Sequence, residues 1–314
     1  MAPQNLTPAP QGSPDEQYKR TLARIKKIQS HLSESPRGSR LKDKVCIITG
    51  AGSLKGIGHS RASALLFAHE GARHLYLIDF SGDNLPALKA TIEKTYPDVK
   101  VTTLQADAAD EAAISGICEQ ALKEEGRLDV FFANAGIATI NRIEDTSAKV
   151  FNEVMRVNAL SCFLAIKHAS AAMKKTNASR GKEVSGGSII LTASVAGIAS
   201  GAGSVDYSAS KAAVNSMAKT SAWQLQKTDI RVNSICPGLI ETGMTIGTFD
   251  YARQRGNAAR IGQLNPLGRY GVAEELAQVA LFLASDDSSY VNGHNFVADG
   301  GLSSSVPVVP GKLA

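Results

Sequence analysis

The stretch VCIITGAGSLKGIG, residues 45–58, decides the fold, because an apolar run leads directly into a cluster of glycines. Residues 45–49 have the length and composition of a buried strand, and a helical pattern follows over residues 58–70. Glycines at this junction let the backbone turn sharply and approach a phosphate held by amides at the helix N-terminus. A plain tight turn is the alternative, and the position between first strand and first helix argues against it.

The rest of the chain repeats this alternation of strand and helix. Apolar runs without strict alternation predict strands that are covered on both faces, as in a parallel sheet. Such runs predict further strands over residues 74–79, 101–105, 128–133, 188–192 and 230–236. The sequence therefore predicts an α/β fold, a Rossmann-like doubly wound parallel sheet in a single domain with an N-terminal extension.

We predict an N-terminal arm over residues 1–40, one domain over 41–303 and a C-terminal tail over 304–314. The first 16 residues are rich in Pro, Gln and Ser, which is typical of disorder. Residues 17–32 then predict a basic amphipathic helix, since apolar residues recur among basic ones at helical spacing. These apolar residues are Tyr18, Leu22, Ile25, Ile28 and Leu32. The helix packs on its own domain or on a neighbouring subunit, or it serves as a targeting sequence.

The distribution of charge and cysteine excludes several classes of protein. Residues 1–40 supply four of the five net positive charges, so the near-neutral domain argues against nucleic-acid binding. No apolar run approaches the roughly 18 residues of a membrane span. Cys46, Cys118, Cys162 and Cys236 are widely spaced and predict a reduced, cytoplasmic protein. No metal is expected, because the six histidines lack paired ligand spacing.

Tyr207 and Lys211 form a Tyr-x-x-x-Lys pair, with Ser194 thirteen residues upstream of the tyrosine. Residues four apart share one face of a helix. The Lys211 ammonium would therefore favour the Tyr207 phenolate and lower its pKa from about 10 towards the working pH of an acid/base catalyst. Ser194 would hydrogen-bond the substrate oxygen. By itself, a Tyr-x-x-x-Lys pair usually lies on the solvent-exposed surface of a helix. Whether the pair is catalytic therefore depends on the other motifs in the sequence.

Asp79 ends the second predicted strand, 21 residues after Gly58. A carboxylate there accepts hydrogen bonds from the ribose hydroxyls of NAD and repels the 2′-phosphate of NADP. The following Phe80 brings no compensating cation. Lys55 in the glycine loop favours NADP, so NAD is preferred and NADP remains the alternative. Asp107 and Ala108 follow the third strand and are candidates for contact with the adenine.

Together these residues resemble the short-chain dehydrogenase/reductase family over residues 41–303. Asn134-Ala135-Gly136 is similar to the family's Asn-Ala-Gly motif, and Asn158 matches its catalytic asparagine, which holds a water near the lysine. The resemblance implies a catalytic tetrad of Asn158, Ser194, Tyr207 and Lys211. It also implies a set of cofactor-binding residues: Gly50, Gly52, Ser53, Lys55, Gly56, Ile57, Gly58, Asp79, Phe80, Asp107, Ala108, Asn134, Ala135, Gly136, Tyr207, Lys211, Pro237, Gly238, Ile240 and Thr242.

One departure from the family concerns the glycine loop. The family commonly has three residues between its first two key glycines, whereas five separate Gly50 from Gly56. The role of Ser53 and the choice between NAD and NADP therefore stay open. Weak helical signals over residues 243–264 resemble the family's mobile substrate lid.

The resemblance implies hydride transfer between a nicotinamide and a secondary alcohol or ketone. Small and apolar residues follow Ser194 and favour an apolar alicyclic, aromatic or acyl substrate. An NADP-dependent reductase of 3-oxoacyl thioesters or ketones is the alternative activity. A noncatalytic dinucleotide-binding scaffold is the alternative of a different class. The resemblance also implies a homodimer or homotetramer, with long helices over residues 150–173 and 207–227 as the subunit contacts.

Overall fold

The computed structural model describes residues 13–52 and 58–306. Its strands are β1 (Val45–Thr49), β2 (His74–Asp79), β3 (Lys100–Gln105), β4 (Val130–Ala133), β5 (Gly187–Thr192), β6 (Ile230–Pro237), β7 (Ile240–Glu241), β8 (Gly271–Val272) and β9 (Asn295–Ala298). Seven of them form a parallel sheet in the order β3-β2-β1-β4-β5-β6-β9, and β7 pairs with β8 in a small second sheet. The predicted doubly wound parallel sheet is confirmed.

The helices connect these strands and cover both faces of the sheet. They are α1 (Pro14–Glu34), α2 (His59–His69), α3 (Leu85–Thr95), α4 (Glu111–Glu125), α5 (Ala148–Met155), α6 (Ser161–Met173), α7 (Val205–Gln224), α8 (Ile246–Gln254) and α9 (Ala273–Ala284). A π-helical segment, Arg156–Leu160, joins α5 to α6. No helix of the described residues has the length and hydropathy needed to cross a membrane.

Side chains of β1 alternate between two apolar cores, and this is why the strand reads as a continuous apolar run. Cys46 and Ile48 enter the core that contains α2 and α9 residues. Val45 and Ile47 enter the opposite core, which is built from α4, α6 and α7. Since β1 is buried on both faces, no polar alternation is tolerated in it.

The sequence did not predict β9, which forms one edge of the sheet. Its four residues Asn295–Ala298 are short of the length that strand patterns require, and none of them is fully buried. An edge strand makes hydrogen bonds on one side only, so its backbone pairing with β6 leaves little trace in side-chain composition.

Helix α1 begins earlier than the sequence predicted, so the expected disorder of residues 14–16 is wrong. Ser13 and Glu16 form a capping box, in which the Ser13 hydroxyl accepts from the Glu16 N–H and the Glu16 carboxylate accepts from the Ser13 N–H. Pro14 follows at the first helical position. This pattern satisfies two N–H groups that a helix start otherwise leaves unpaired. Residues 1–12 and 307–314 lie outside the described part of the chain.

Candidate active site

The candidate site lies where the strand order of the sheet reverses. Chain order runs outward from β1 to β2 and β3 on one side, and from β4 to β5 and β6 on the other. At such a switch point the loops after neighbouring strands diverge and leave a crevice at the carboxyl edge. Gly50, Asn134, Ser194 and Gly238 all follow the ends of these central strands.

Helix α7 carries Tyr207 and Lys211 one turn apart, as the spacing predicts. The Lys211 Nζ lies 5.6 Å from the centroid of the Tyr207 ring. Lys211 is 3% exposed, and its ammonium donates to the carbonyl of Thr192 at 2.8 Å. A buried ammonium requires such an acceptor, so the end of β5 fixes the lysine beside the tyrosine.

Ser194 is held against the same helix. It is buried at the N-terminus of a 3-10 turn, Val195–Gly197, where its hydroxyl accepts from the Ala196 N–H at 3.1 Å. Gly197 packs so closely on α7 that an added Cβ would lie 2.6 Å from the Lys211 carbonyl carbon. The absence of a side chain at Gly197 therefore lets the serine turn dock on the tyrosine helix.

Asn158 lies in the middle of the π-helical segment and is fully buried. Its Oδ1 accepts from the Ile137 N–H at 2.8 Å, and its Nδ2 donates to the Ile137 carbonyl at 2.9 Å and to the Ser210 hydroxyl at 3.0 Å. A π-turn is rare and commonly occurs at functional sites. The side chain thus links the loop after β4 to α7.

Gly136 joins Asn158 to Lys211 in space. An added Cβ at Gly136 would lie 3.1 Å from the Asn158 Oδ1 and 3.5 Å from the Lys211 Nζ. The four residues of the predicted tetrad are therefore carried by elements that contact one another: the Val195–Gly197 turn and the π-segment both pack on α7.

Asp206, next to Tyr207, was not predicted from the sequence. Its carboxylate is fully buried, accepts from the Thr139 hydroxyl at 2.8 Å and accepts from the Tyr207 N–H at 2.9 Å. Burial raises the pKa of this carboxyl, but hydrogen bonds from Ser204, Thr139 and the Tyr207 backbone more than offset burial and lower the pKa overall. A carboxylate in the first turn of α7 also matches the helix dipole.

The hydrogen bonds of Asn134 connect β4 to residues in neighbouring elements. Its Nδ2 donates to Ser60 Oγ, and its Oδ1 accepts from Thr192 Oγ1 at 2.8 Å. The Thr49 hydroxyl accepts from the N–H groups of both Asn134 and Ala135, at 3.0 and 3.1 Å. The predicted motif thus ties β1, β4 and β5 together, and the sequence pattern did not reveal its polar partners.

Gly50 and Gly52 lie at the carboxyl edge of the sheet, where the sequence predicts a phosphate-binding turn. Gly50 has φ +72°, and an added Cβ would lie 3.0 Å from the Ala135 Cα. The Gly52 N–H donates to Asp79 Oδ2 at 2.7 Å, and the Ser81 N–H donates to Asp79 Oδ1 at 3.0 Å. The Asp79 carboxylate is therefore fixed before any ligand arrives and remains partly accessible.

Other predicted cofactor residues have different surroundings. Phe80 is 75% exposed beside Asp79, and Ala108 is buried. Asp107 forms an ion pair with Arg156 at 2.7 Å and accepts from the Ala109 N–H at 2.8 Å. Gly58 precedes α2 as its N-cap. Ser53, Lys55, Gly56 and Ile57 lie outside the described residues.

The segment after β6 completes the crevice. Pro237 ends β6, and Gly238 packs so closely that an added Cβ would lie 2.6 Å from the Asp299 Cβ. Ile240 is buried, and the Thr242 N–H donates to Thr245 Oγ1 at 3.0 Å. Helix α8 starts directly after these residues, within the predicted lid.

His59, the first residue of α2, is a titratable group close to the site. Its Nε2 is buried and has no hydrogen-bond partner among the described residues. Burial, together with the positive charge of Lys211, lowers the pKa of His59 to about 4. The imidazole is therefore neutral at pH 7. Residues 13–52 and 58–306 contain no cluster of His, Cys, Asp and Glu suited to a metal ion.

Apolar side chains are exposed on the three segments that follow β4, β5 and β7. They are Ile137, Ile140, Ile143, Ile198 and Met244, with exposed fractions from 38% to 98%. Exposed apolar groups of this number on neighbouring loops are typical of a ligand-binding mouth.

Comparison with known proteins identifies the family. The family model described as enoyl-(acyl carrier protein) reductase matches residues 50–303. A solved short-chain type dehydrogenase/reductase from Mycobacterium marinum superimposes with a TM-score of 0.73 and 30% identity, covering 88% of this chain and 98% of that chain. The chain belongs to the short-chain dehydrogenase/reductase family. It is an oxidoreductase that uses a nicotinamide dinucleotide, NAD(P).

Several curated short-chain dehydrogenases/reductases are similar along their length. Levodione reductase of Leifsonia aquatica is 38% identical over 84% of this chain and 96% of its own, and its crystal structure gives a TM-score of 0.74. The 3-oxoacyl-[acyl-carrier-protein] reductase of Thermotoga maritima is 40% identical over 84% and 99%. Cyclopentanol dehydrogenase of Comamonas testosteroni is 34% identical over 83% and 98%.

The described residues fit a nicotinamide dinucleotide. The backbone at Gly50 leaves no room for a side chain, Asp79 presents a fixed carboxylate at the end of β2, and the crevice lies at the switch point of the sheet. Family membership and these features therefore agree with NAD(P) as the coenzyme.

Proposed function

We propose that the protein catalyses the reversible oxidation of a secondary alcohol to a ketone on an apolar substrate, with NAD as the preferred coenzyme. The observation that carries the proposal is the convergence of Asn158, Ser194, Tyr207 and Lys211 on the N-terminal half of α7, with the fixed carboxylate of Asp79 at the end of β2 on the same edge of the sheet. The coenzyme, when bound, accepts or supplies the hydride. The residues of the protein bind and orient the substrate, and they move the proton.

Tyr207 is the proposed general acid/base. Its phenolate oxygen takes the alcohol proton during oxidation, and its hydroxyl donates a proton to the ketone oxygen during reduction. The Lys211 ammonium, held by the Thr192 carbonyl, stabilises the negative charge of the phenolate electrostatically. Because His59 is neutral at pH 7, its imidazole adds no positive charge beside the lysine.

Ser194 and Asn158 are proposed to assist this proton transfer. The Ser194 hydroxyl, fixed by the Ala196 N–H, orients the substrate oxygen towards Tyr207. Asn158 keeps the loop at Ile137 and the α7 residue Ser210 in place, next to Lys211. The remaining hydrogen-bonding capacity around Lys211 is proposed to hold the water through which the proton reaches solvent.

Preference for NAD rests on the charge of Asp79. The Gly52 and Ser81 N–H groups each donate one hydrogen bond to it, and the remaining lone pairs can accept from the two ribose hydroxyls. A 2′-phosphate would meet this fixed carboxylate at short range. Asp79 therefore disfavours NADP unless Lys55, outside the described residues, compensates for the repulsion.

An alicyclic or aromatic substrate is the best match for the site. The exposed isoleucines and Met244 make its mouth apolar, and two relatives are named levodione reductase and cyclopentanol dehydrogenase. The second candidate, a reductase of 3-oxoacyl thioesters, is favoured by the Thermotoga maritima relative. We infer that a panel of cyclopentanol, cyclohexanol and a 3-oxoacyl thioester separates these two substrate classes.

Fluorescence titration with NADH and NADPH, in wild type and in Asp79→Ala, tests the coenzyme preference. We expect NADH to bind wild type at least about tenfold more tightly than NADPH, because Asp79 accepts hydrogen bonds from the ribose hydroxyls of NADH and repels the 2′-phosphate of NADPH. A tenfold ratio of dissociation constants corresponds to about 1.4 kcal/mol. In Asp79→Ala the preference should shrink or reverse. Tighter NADPH binding to wild type would contradict the assignment of Asp79.

Tyr207→Phe distinguishes an enzyme from a noncatalytic dinucleotide-binding scaffold. The substitution removes one hydroxyl, so NADH affinity should stay within about twofold while turnover of the best alcohol falls by about 10²-fold or more. Tyr290→Phe, which removes a fully exposed hydroxyl outside the site, is the matched control. A scaffold would bind NADH tightly in wild type and oxidise none of the alcohols.

We also propose that the protein forms a homo-oligomer through α6 and α7. Leu160, Phe163 and Trp223 are 39%, 47% and 70% exposed on this side of the molecule. Such apolar groups are commonly buried between identical subunits. Light scattering during gel filtration should give a molar mass of two or four chains of 33.0 kDa.

A further inference from the structure

A third apolar cluster, separate from the two cores of the sheet, joins the N-terminal helix to the segment that follows β6. We call it the α1–α8 cluster. Its buried members are Ile25 of α1, Phe249 of α8, and Tyr270 and Val272 around β8. Ile25 is 7% exposed, and Phe249 is fully buried. The Phe249 and Tyr270 rings meet edge to face, with centroids 4.9 Å apart.

Helix α8 depends on this cluster for its packing. Phe249 is the one α8 residue that is fully buried, while most of its neighbours in the helix are exposed. Helix α1 also contacts the 3-10 turn Ala258–Arg260 that follows α8. An amphipathic helix is stabilised mainly by burying its apolar face, so removing Ile25 from the cluster would leave Phe249 with fewer buried neighbours and α8 with less packing.

Charged groups around the cluster add to the contact. Arg253 of α8 pairs with Glu241 and lies 3.5 Å from Asp250. Tyr18 of α1 lies near Arg253 and Tyr270. The Arg24 guanidinium of α1 attracts the carboxylate of Glu275, which also binds Arg269 at 2.7 Å.

The segment that α1 supports borders the candidate site. Thr242, a predicted coenzyme contact, donates its N–H to Thr245, the N-cap of α8. Met244, between them, belongs to the apolar mouth. A displacement of α8 is therefore transmitted directly to residues 242–245. Helix α1 itself lies before residue 50, where the family model begins, so this support is additional to the shared domain.

We propose that α1 is a built-in brace for the substrate-covering segment, residues 243–264, and that Ile25 and Phe249 are positioning residues for substrate binding. The brace holds α8 closed over the apolar mouth without touching the reacting atoms. The effect of α1 on substrate binding rests on the proposed function, whereas its effect on the conformational stability of α8 does not.

Hydrogen exchange of the α8 amides in Ile25→Asp tests the brace directly. The aspartate places a charge in the apolar cluster and should undock α1, so α8 amides should exchange about tenfold faster or more. Ala23→Asp puts the same charge on the exposed side of α1 and should leave exchange unchanged. Ile25→Val keeps the apolar contact and should behave like wild type. Unchanged α8 exchange in Ile25→Asp would overturn the proposal.

Exchange at β1 and β5 in the same samples controls for global unfolding. These strands belong to the other two clusters, so their protection should persist in Ile25→Asp. If their protection is lost as well, Ile25→Ala provides the second variant, because it reduces the contact from the α1 side without burying a charge. Slow α8 exchange in both variants would show that α1 does not brace the segment.

Kinetics test the positioning role. With the best alcohol of the panel, Ile25→Asp should raise KM about tenfold, while kcat changes less than about twofold and the dissociation constant of NADH changes less than KM does, because α8 borders the apolar mouth and reaches the predicted coenzyme contacts through Thr242. Equal loss in kcat and NADH binding would mean that the helix supports the whole domain, which contradicts the proposal. If wild type oxidises no alcohol, the proposed function fails, and the exchange experiment still decides the brace.

Discussion

At the scale of single residues, Asp206 shows how a buried charge can hold a catalytic helix in position. Its carboxylate accepts from the Thr139 hydroxyl and from the Tyr207 N–H, so it joins the loop after β4 to the start of α7. Both contacts are to an ionised acceptor in a buried place, where hydrogen bonds are strong and unpaired groups are costly.

Asp206→Asn should destabilise the protein in a pH-dependent way. Hydrogen bonds hold the pKa of Asp206 below its ordinary value. A lowered pKa contributes stability that is present above the unfolded pKa of about 3.9 and is lost as pH falls through the folded pKa. We expect a loss of about 1–3 kcal/mol in unfolding free energy at pH 7.

Urea unfolding at pH 7 and at pH 3 measures this difference. The difference in unfolding free energy between wild type and Asp206→Asn should be smaller at pH 3, because protonation of the Asp206 carboxylate weakens the same hydrogen bonds in wild type. Asp145→Asn, at an exposed position in the loop after β4, is the control, and its unfolding free energy should differ little from wild type at both pH values. If this difference in unfolding free energy were the same at pH 7 and pH 3, the negative charge of Asp206 would not contribute to stability.

At the scale of elements, the π-helical segment between α5 and α6 places Asn158 where three hydrogen bonds meet. In Asn158→Ala the N–H and C=O of Ile137 and the buried hydroxyl of Ser210 lose their hydrogen bonds to the Asn158 side chain. Each lost hydrogen bond costs about 0.5–1.5 kcal/mol. We therefore expect a melting temperature lower by several degrees, together with a fall in turnover.

Asn152→Ala provides the matched control for this prediction, since it removes an exposed asparagine from α5, one turn before the π-segment. Its melting temperature should be within about one degree of wild type, as surface substitutions usually are nearly neutral. An Asn158→Ala variant as stable as Asn152→Ala would show that the clamp on Ile137 is not needed.

The elements also show what sequence patterns can and cannot predict. Residues 45–49 were predicted to the residue, because a strand buried on both faces has no polar position. The break of α5 into a π-turn was not predicted, since one extra residue per turn leaves the apolar pattern of residues 148–173 nearly unchanged. The start of α1 was predictable from Ser13 and Glu16, whose capping signal the composition of the arm concealed.

At the scale of the whole molecule, topology explains why the site could be predicted only in part. The spacing of Tyr207 and Lys211 is local and follows from helix geometry. Thr192, which holds Lys211, and Thr139, which holds Asp206, come from strands and loops distant in the chain. Such partners depend on which strands lie side by side, and a single sequence does not specify that order.

The contact between α1 and α8 also has a consequence for the order in which the chain folds during synthesis. Ile25 is made first, whereas its partners Phe249 and Tyr270 leave the ribosome more than 220 residues later. Domains generally form from the N-terminus onward as the chain emerges. The earliest helix must therefore wait, with its apolar side uncovered, until nearly all of the sheet exists. Docking of α1 is then among the last folding events, and a ribosome-bound chain stalled before residue 249 should leave this helix open to protease and chaperones.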